Sequence, residues 1–214
     1  MTVSRTARFA VVGVAVILAA AGCGSDDTSD TADPTTSVDT TSAPQDLQWR
    51  TVAGVSIPTS RTAGPTAGTG AARHGYQRSP QGAVLAAING QTALAVADDR
   101  TWPEVVNTVT APGPGRDAFA VARAGVTVAG AVPTTAAPRF VGFEVTDYQL
   151  DPPTAAVSVA QTIGTDPQLY AYPVALQWID DDWRIVLPTP EDNIDAAEIA
   201  DLTGCLLYTS DAAD

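Results

Sequence analysis

Gln177-Trp178-Ile179-Asp180-Asp181-Asp182-Trp183-Arg184-Ile185-Val186-Leu187 is the stretch that decides the fold. Large apolar residues stand on alternate positions on either side of three consecutive aspartates: Leu176 and Trp178 before them, Trp183, Ile185 and Leu187 after. A period of two marks strands with one covered face. Ile179 to Asp182 reads as the hairpin turn, which brings Trp178 and Trp183 close to each other across the pair. The alternation continues upstream: Val141, Phe143 and Val145; Val157, Val159 and Ile163 against Ala156, Ser158, Ala160 and Thr162; then Tyr170, Tyr172 and Val174. Such a series predicts a meander of antiparallel strands half covered by helices.

Further upstream the period changes. Ser79-Pro80 predicts a helix start, Ser79 as N-cap and Pro80 in the first turn, where a missing N–H does no harm. Val84, Leu85, Ile88, Ala95 and Val96 then share an arc of roughly 120°, a core-facing stripe. Gly82 and Gly90 fall off that stripe and predict close approach by another element. Thr101-Trp102-Pro103-Glu104 reads as a capping box opening a second helix through Val105, Val106 and Val109. Pro112-Gly113-Pro114-Gly115 stops it, and a shorter helix over 117–124 is expected next. Before all of these, 47–58 reads as one extended segment and 59–75 as loop. Helices first and strands after them imply an α+β domain.

The chain has 214 residues, net charge −13 and two cysteines, and all eleven of its cations are Arg. So large a cation deficit argues against nucleic acid, whose phosphates need a concentrated basic patch. Two cysteines make neither a disulfide framework nor a four-ligand zinc site. Neither a metal nor a cofactor is expected.

Arg5 and Arg8 precede an apolar run from Phe9 to Gly22, fourteen residues long. That is too short for a bilayer of about 30 Å and fits a signal-peptide core. The run closes as Leu18-Ala19-Ala20-Ala21-Gly22-Cys23, which resembles the lipobox of bacterial lipoproteins. Ala21, Gly22 and Cys23 match it, whereas Ala20 stands where the pattern usually has Leu. The resemblance implies cleavage after residue 22 and a diacylglyceryl group on Cys23, and so a partner in the membrane and a location on its extracytoplasmic face. Residues 24–45 are almost wholly Asp, Thr, Ser, Gly, Ala and Pro, with Val38 the one large apolar side chain before Gln45. A flexible tether is expected there. The folded domain is expected over 46–204. Residues 205–214, Cys-Leu-Leu-Tyr-Thr-Ser-Asp-Ala-Ala-Asp, look like one reading frame of a transposase mosaic-end sequencing adapter and are set aside as a library artefact, the native chain continuing past Gly204.

A wider resemblance rests on Gly75-Tyr76-Gln77-Arg78-Ser79-Pro80-Gln81-Gly82-Ala83-Val84-Leu85-Ala86-Ala87, on Trp49, Gly54, Pro58-Thr59-Ser60 and Gly64-Pro65, and on 177–184. From Trp49 to Leu187 the chain resembles an uncharacterised actinobacterial domain found among genes of integrative and conjugative elements. Its most specific positions are Ser79, Pro80, Gly82 and Ala83, with Trp178, Asp182, Trp183 and Arg184. Relatives usually carry Gly where this chain has Asp181, so the turn type stays open. The resemblance implies a cone of the nuclear transport factor 2-like kind, with N-terminal helices packed on one curved antiparallel sheet. Assembly subunits of conjugative secretion channels use that fold, and so does ketosteroid isomerase.

Catalytic chemistry finds little purchase. His74 is the single histidine and has no acidic neighbour in sequence, while Ser56, Ser60 and Ser79 lack nucleophile-elbow context. Asp180-Asp181-Asp182 lacks the spacing of a calcium loop and reads as a solvated turn. Glu191, Asp192, Asp195, Glu198 and Asp201 read as the wet face of a terminal helix, with Ile194 and Leu202 inward. Tyr76, Tyr148, Tyr170, Tyr172, Trp178 and Trp183 read as core, or else as the lining of a pocket. The expected function is a non-enzymatic binding or assembly module with envelope protein partners, accessory to conjugative transfer. The alternative is an envelope carrier of small molecules or lipids, and an isomerase-like enzyme ranks third. A sealed apolar interior favours assembly, an open cavity on the order of several hundred Å³ favours the carrier, and a carboxylate buried with a Tyr reopens catalysis.

Overall fold

Leu47–Val52 (β1) and Val55–Ser60 (β2) pair antiparallel around Ala53-Gly54 in the computed structural model, which describes residues 38–192 and 194–207. Both turn residues take left-handed backbone, φ 46° and 89°, the two-residue geometry that suits the twist of a hairpin. A side chain at Gly54 would sit 2.3 Å from the Val132 carbonyl oxygen, so glycine is needed there for space as well as conformation. The segment read as one extended run therefore folds back on itself. The stretch read as loop holds a second small hairpin, Ala67–Thr69 (β3) with Ala72–His74 (β4).

Three helices follow: Pro80–Val96 (α1), Trp102–Val109 (α2) and Pro114–Ala124 (α3). Then come Pro138–Leu150 (β5), Pro153–Ile163 (β6), Asp166–Ile179 (β7), Asp182–Val186 (β8), Ala197–Ile199 (β9) and Leu206–Leu207 (β10). The large sheet runs β10-β5-β6-β7-β8, with β9 also on β7, and every pairing in it is antiparallel. The meander and its last hairpin stand as expected, with Trp178 opposite Trp183. Asp180 and Asp181 both take positive φ, 51° and 59°, which fixes the turn that the sequence left open.

The expected architecture does not stand. Among the described residues the helices lie mid-chain behind four strands, strand residues outnumber helical ones, and the strands form three separate antiparallel sheets rather than one curved sheet under N-terminal helices. The physical reason lies in α1. It is buried nearly all round, from Gly82 through Gly90 and again at Thr92, Ala93 and Val96, rather than along one stripe. A helix apolar on every side needs cover on every side. The large sheet covers part of α1, and β2, β4 and α2 cover other parts, so β2 belongs to the core although it precedes the helices: Val55 and Ile57 join Val84, Leu85, Ile88, Phe143, Val157, Val159, Leu176 and Trp183 in one cluster.

Of the two off-stripe glycines, Gly90 admits another element, β8, as expected, whereas what crowds Gly82 is the chain's own lead-in to α1. A methyl at Gly90 would meet Ile185 Cδ1 at 2.6 Å, and one at Gly82 would meet the Gln77 carbonyl oxygen at 1.9 Å. The capping box does not form. Thr101 has helical backbone and makes no side-chain cap; Asp98 takes the role upstream, accepting from the Arg100 and Thr101 amides and the Thr101 hydroxyl at 2.8 to 3.0 Å. The acidic terminal helix is absent too: Pro190–Asp192 is a single 3-10 turn, and Ala197–Ile199 is strand, pairing Leu169 to Ala171. No helix among the described residues is long and apolar enough to cross a membrane.

Candidate functional site

The positions singled out by the family resemblance converge on one clasp. Ser79 Oγ accepts from the Gly82 amide at 3.1 Å and caps α1, with Pro80 in the first turn as expected. Asp182, 5% exposed, turns its carboxylate to the loop before that helix: Oδ2 accepts from the Gly75 amide at 2.8 Å, and Oδ1 from the Tyr76 and Trp183 amides at 3.0 and 2.9 Å. Trp183 Nε1 donates to the Gln77 carbonyl at 2.9 Å, and its ring meets those of Trp178 and Tyr148 edge-on, 5.4 and 5.8 Å between centroids. Arg184 donates to the Asn107 carbonyl at 3.0 Å and to the Thr108 carbonyl. Two motifs about a hundred residues apart in sequence thus lock β8 against the start of α1 and the end of α2. Ala83 is fully buried beneath them.

Two expectations change here. Asp182 is not part of a solvated turn, although Asp180 and Asp181 are exposed. A buried carboxylate does neighbour a tyrosine: burial first, then the charge of Asp182, pushes the Tyr76 phenol far above its usual range. Both carboxylate oxygens nevertheless engage backbone amides, which makes Asp182 an anchor. Among the described residues no three of His, Cys, Asp and Glu are grouped to hold a metal ion.

A second polar cluster escaped sequence reasoning. His74, exposed at the end of β4, shares a hollow of about 490 Å³ with Glu104, Asn107, Thr108 and Arg184. Glu104 is thirty positions away in sequence, and only the packing of α2 on β4 brings it near. No hydrogen bond joins His74 to Glu104 among the described residues. The hydroxyls of Ser60 and Ser79 serve local turns and the helix cap.

Carboxylates also fasten α2 and α3. Asp99 accepts from the Val128 amide at 3.0 Å and from buried Arg123 at 2.9 Å; the amide foremost, then Arg123, lowers its pKa. The Thr101 hydroxyl and the amides of Thr101 and Arg100 lower that of Asp98. A group whose folded pKa is depressed stabilises above its unfolded value and loses that contribution as pH falls through the folded one. Thermal melts are therefore expected to hold level from pH 7 to 5 and to fall below about pH 4, with a smaller fall in Asp98→Asn.

A larger concavity is apolar. A groove of about 770 Å³ runs over the edge of β7 and is bounded by Gln91 and Leu94 of α1, by Val157, Tyr172, Val174 and Ile185 of the sheet, and by the strap between β8 and β9. β8 pairs with β7 from Ala175 onward and β9 with β7 up to Ala171, so Tyr172 to Val174 lack a partner on that side. Pro173 sits in the gap, where its missing N–H leaves no ladder donor unpaired. Two smaller hollows adjoin the groove. One, about 350 Å³, shares Gln91, Leu94 and Tyr172 with it and adds Phe119, Phe140 and Gln161. The other, about 370 Å³, shares Leu187, Pro188 and Ile194 and reaches Phe119 and Ala122 of α3. Of the six aromatics read as core or lining, Tyr172 lines this surface while Tyr76 and Trp183 are core.

Ala20, Ala21, Gly22 and Cys23 lie outside the described residues. So does most of the tether, but its last residues are held. Asp39 caps Thr41 and Ser42, Gln81 Nε2 donates to the carbonyls of Asp39 and Ser42 at 3.0 Å, and Pro44 is buried. At the other end Leu206 and Leu207, within the segment read as adapter, pair with Phe143 and Gly142.

The family described as Domain of unknown function (DUF8175) matches residues 10–207. No curated protein and no solved structure matches the chain.

Proposed function

Since the chain belongs to the DUF8175 family of domains of unknown function, we propose that it is a membrane-anchored extracytoplasmic lipoprotein whose folded domain is a non-enzymatic binding module. Its ligand is a small apolar molecule held in the groove beside β7. The observation that carries this reading is the groove itself: about 770 Å³, open, and walled by Leu94, Val157, Val174, Ile185 and Leu187. Ligand pockets fall in the range of roughly 300 to 1,000 Å³ and are mostly apolar with a few polar groups, the part that Gln91, Thr146, Ser158 and Tyr172 take here. The anchor rests on the lipobox-like run ending at Cys23.

N-phenyl-1-naphthylamine, a neutral apolar fluorophore, tests the groove. Saturable enhancement with one site per chain is expected, and its loss in Leu94→Trp, which fills the groove from a half-buried position. Equal enhancement in the variant counts against the groove.

Val121 and Val126, 78% and 55% exposed at the outer end of α3, favour a second reading in which that face meets an envelope protein. The finer reading, an actinobacterial module accessory to conjugative transfer, belongs with it; the absence of Lys supports a GC-rich source. That finer reading requires conjugation genes around the locus.

A further inference from the structure

We infer that the groove selects amphiphiles with a cationic head, an inference that rests on the groove being a ligand site. The argument is the charge of its rim. Among the described residues Asp192 and Asp195, both on the strap, are the charged side chains that line the groove, and no Arg lines it. Neither adjoining hollow adds a cation; one has no charged residue, and the other shares Asp195.

The two aspartates are not equivalent. Asp192 Oδ2 accepts from the Thr189 amide at 2.6 Å and from the Thr189 hydroxyl at 3.0 Å, so it shapes the strap. Asp195 is exposed and has no partner among the described residues, which leaves its carboxylate to meet a ligand. Ile194, 54% exposed, stands beside it. An apolar side chain next to an unpaired carboxylate suits a ligand whose apolar body enters over Leu94 and Val174 and whose positive head stays at the wet rim. A carboxylate head, as in a fatty acid, meets repulsion at the same place, and among the described residues no Arg lines the groove to relieve it. The net charge of −13 acts in the same direction at longer range.

Magnitude follows from exposure. One solvent-exposed charge pair changes binding by a factor of up to about 5. Because Asp192 and Asp195 attract one head and repel the other, a pair of ligands that differ in head charge alone differ by about tenfold.

Calorimetric titration at pH 7 uses decyltrimethylammonium and decanoate, both below their micelle concentrations; their alkyl chains differ by one methylene, a difference that Asp195→Asn leaves unchanged. The expected result is one saturable site for decyltrimethylammonium and binding about tenfold weaker for decanoate. The contrast should shrink to about threefold in Asp195→Asn, an exposed position whose change leaves the fold intact by circular dichroism. Decanoate binding as tightly as its cationic counterpart, or a contrast unchanged in Asp195→Asn, overturns the charge selection and leaves the groove as a ligand site. If neither amphiphile binds and N-phenyl-1-naphthylamine is also silent, the groove reading itself fails.

Discussion

Asp182→Ala is expected to lower the stability of the domain by about 4 kcal/mol, a fall of roughly 12 °C in melting temperature for a domain of this size. The substitution removes one small side chain but strands three amides. Tyr76 and Trp183 are buried and Gly75 is half-buried, so water replaces the lost acceptor incompletely. Each buried amide left unpaired costs about 1 to 3 kcal/mol. Asp182→Asn gives a finer test. Its amide oxygen can still serve Tyr76 and Trp183, as Oδ1 does, whereas its NH₂ then faces the Gly75 N–H. About half of the loss should return. Asp180→Asn, two positions away and exposed, should stay within about 0.5 kcal/mol of the parent. Differential scanning calorimetry on the three variants checks the order. Equal stability of Asp182→Ala and the parent would mean that the clasp does not hold β8 to α1.

Cys23→Ala is expected to move the protein from the membrane fraction to the soluble extracytoplasmic fraction almost completely. In the proposed anchor each buried CH₂ would contribute about 0.8 kcal/mol, and a single chain would hold only marginally. Removing the thiol removes the attachment point of the diacylglyceryl group. The domain itself should keep its melting temperature, since the described residues packed on the core begin at Ala43. Fractionation followed by melting of the released protein reads both. Wild type and Cys23→Ala in the same fraction would contradict the anchor.

How much of this was legible in the sequence depends on the distance between the interacting parts. The terminal hairpin was readable because Trp178, Trp183, Ile185 and Leu187 alternate within ten residues, and its pairing needs no distant element. The cap at Ser79 and the close approach at Gly90 likewise have local signals. The helices-first architecture failed because α1 was read as having one covered face. Its small residues, Gly82, Ala83, Ala86, Ala87 and Gly90, let neighbours in on every side, and a stripe count does not register that. The three-residue strands β3 and β4 are too short to show alternation. β9 was hidden by its acidic residue, since Glu198 sits on an edge strand and can stay wet there.

The clasp was half legible. Its residues stood out as a motif, but nothing in 177–184 says that Asp182 faces Gly75 and Tyr76 more than a hundred positions away while Asp180 and Asp181 face water. The groove was not legible at all. It is made by a gap, the three residues of β7 that neither β8 nor β9 reaches, and a gap leaves no periodic trace beyond Pro173.

The central claim is a binding domain held at the membrane by lipid on Cys23, and the mass of the N-terminal peptide of the protein extracted from membranes tests it most directly. The account predicts a mature chain beginning at Cys23 and heavier than its sequence by a diacylglyceryl group. An N-terminus elsewhere, or an unmodified Cys23 in membrane-extracted protein, would contradict it.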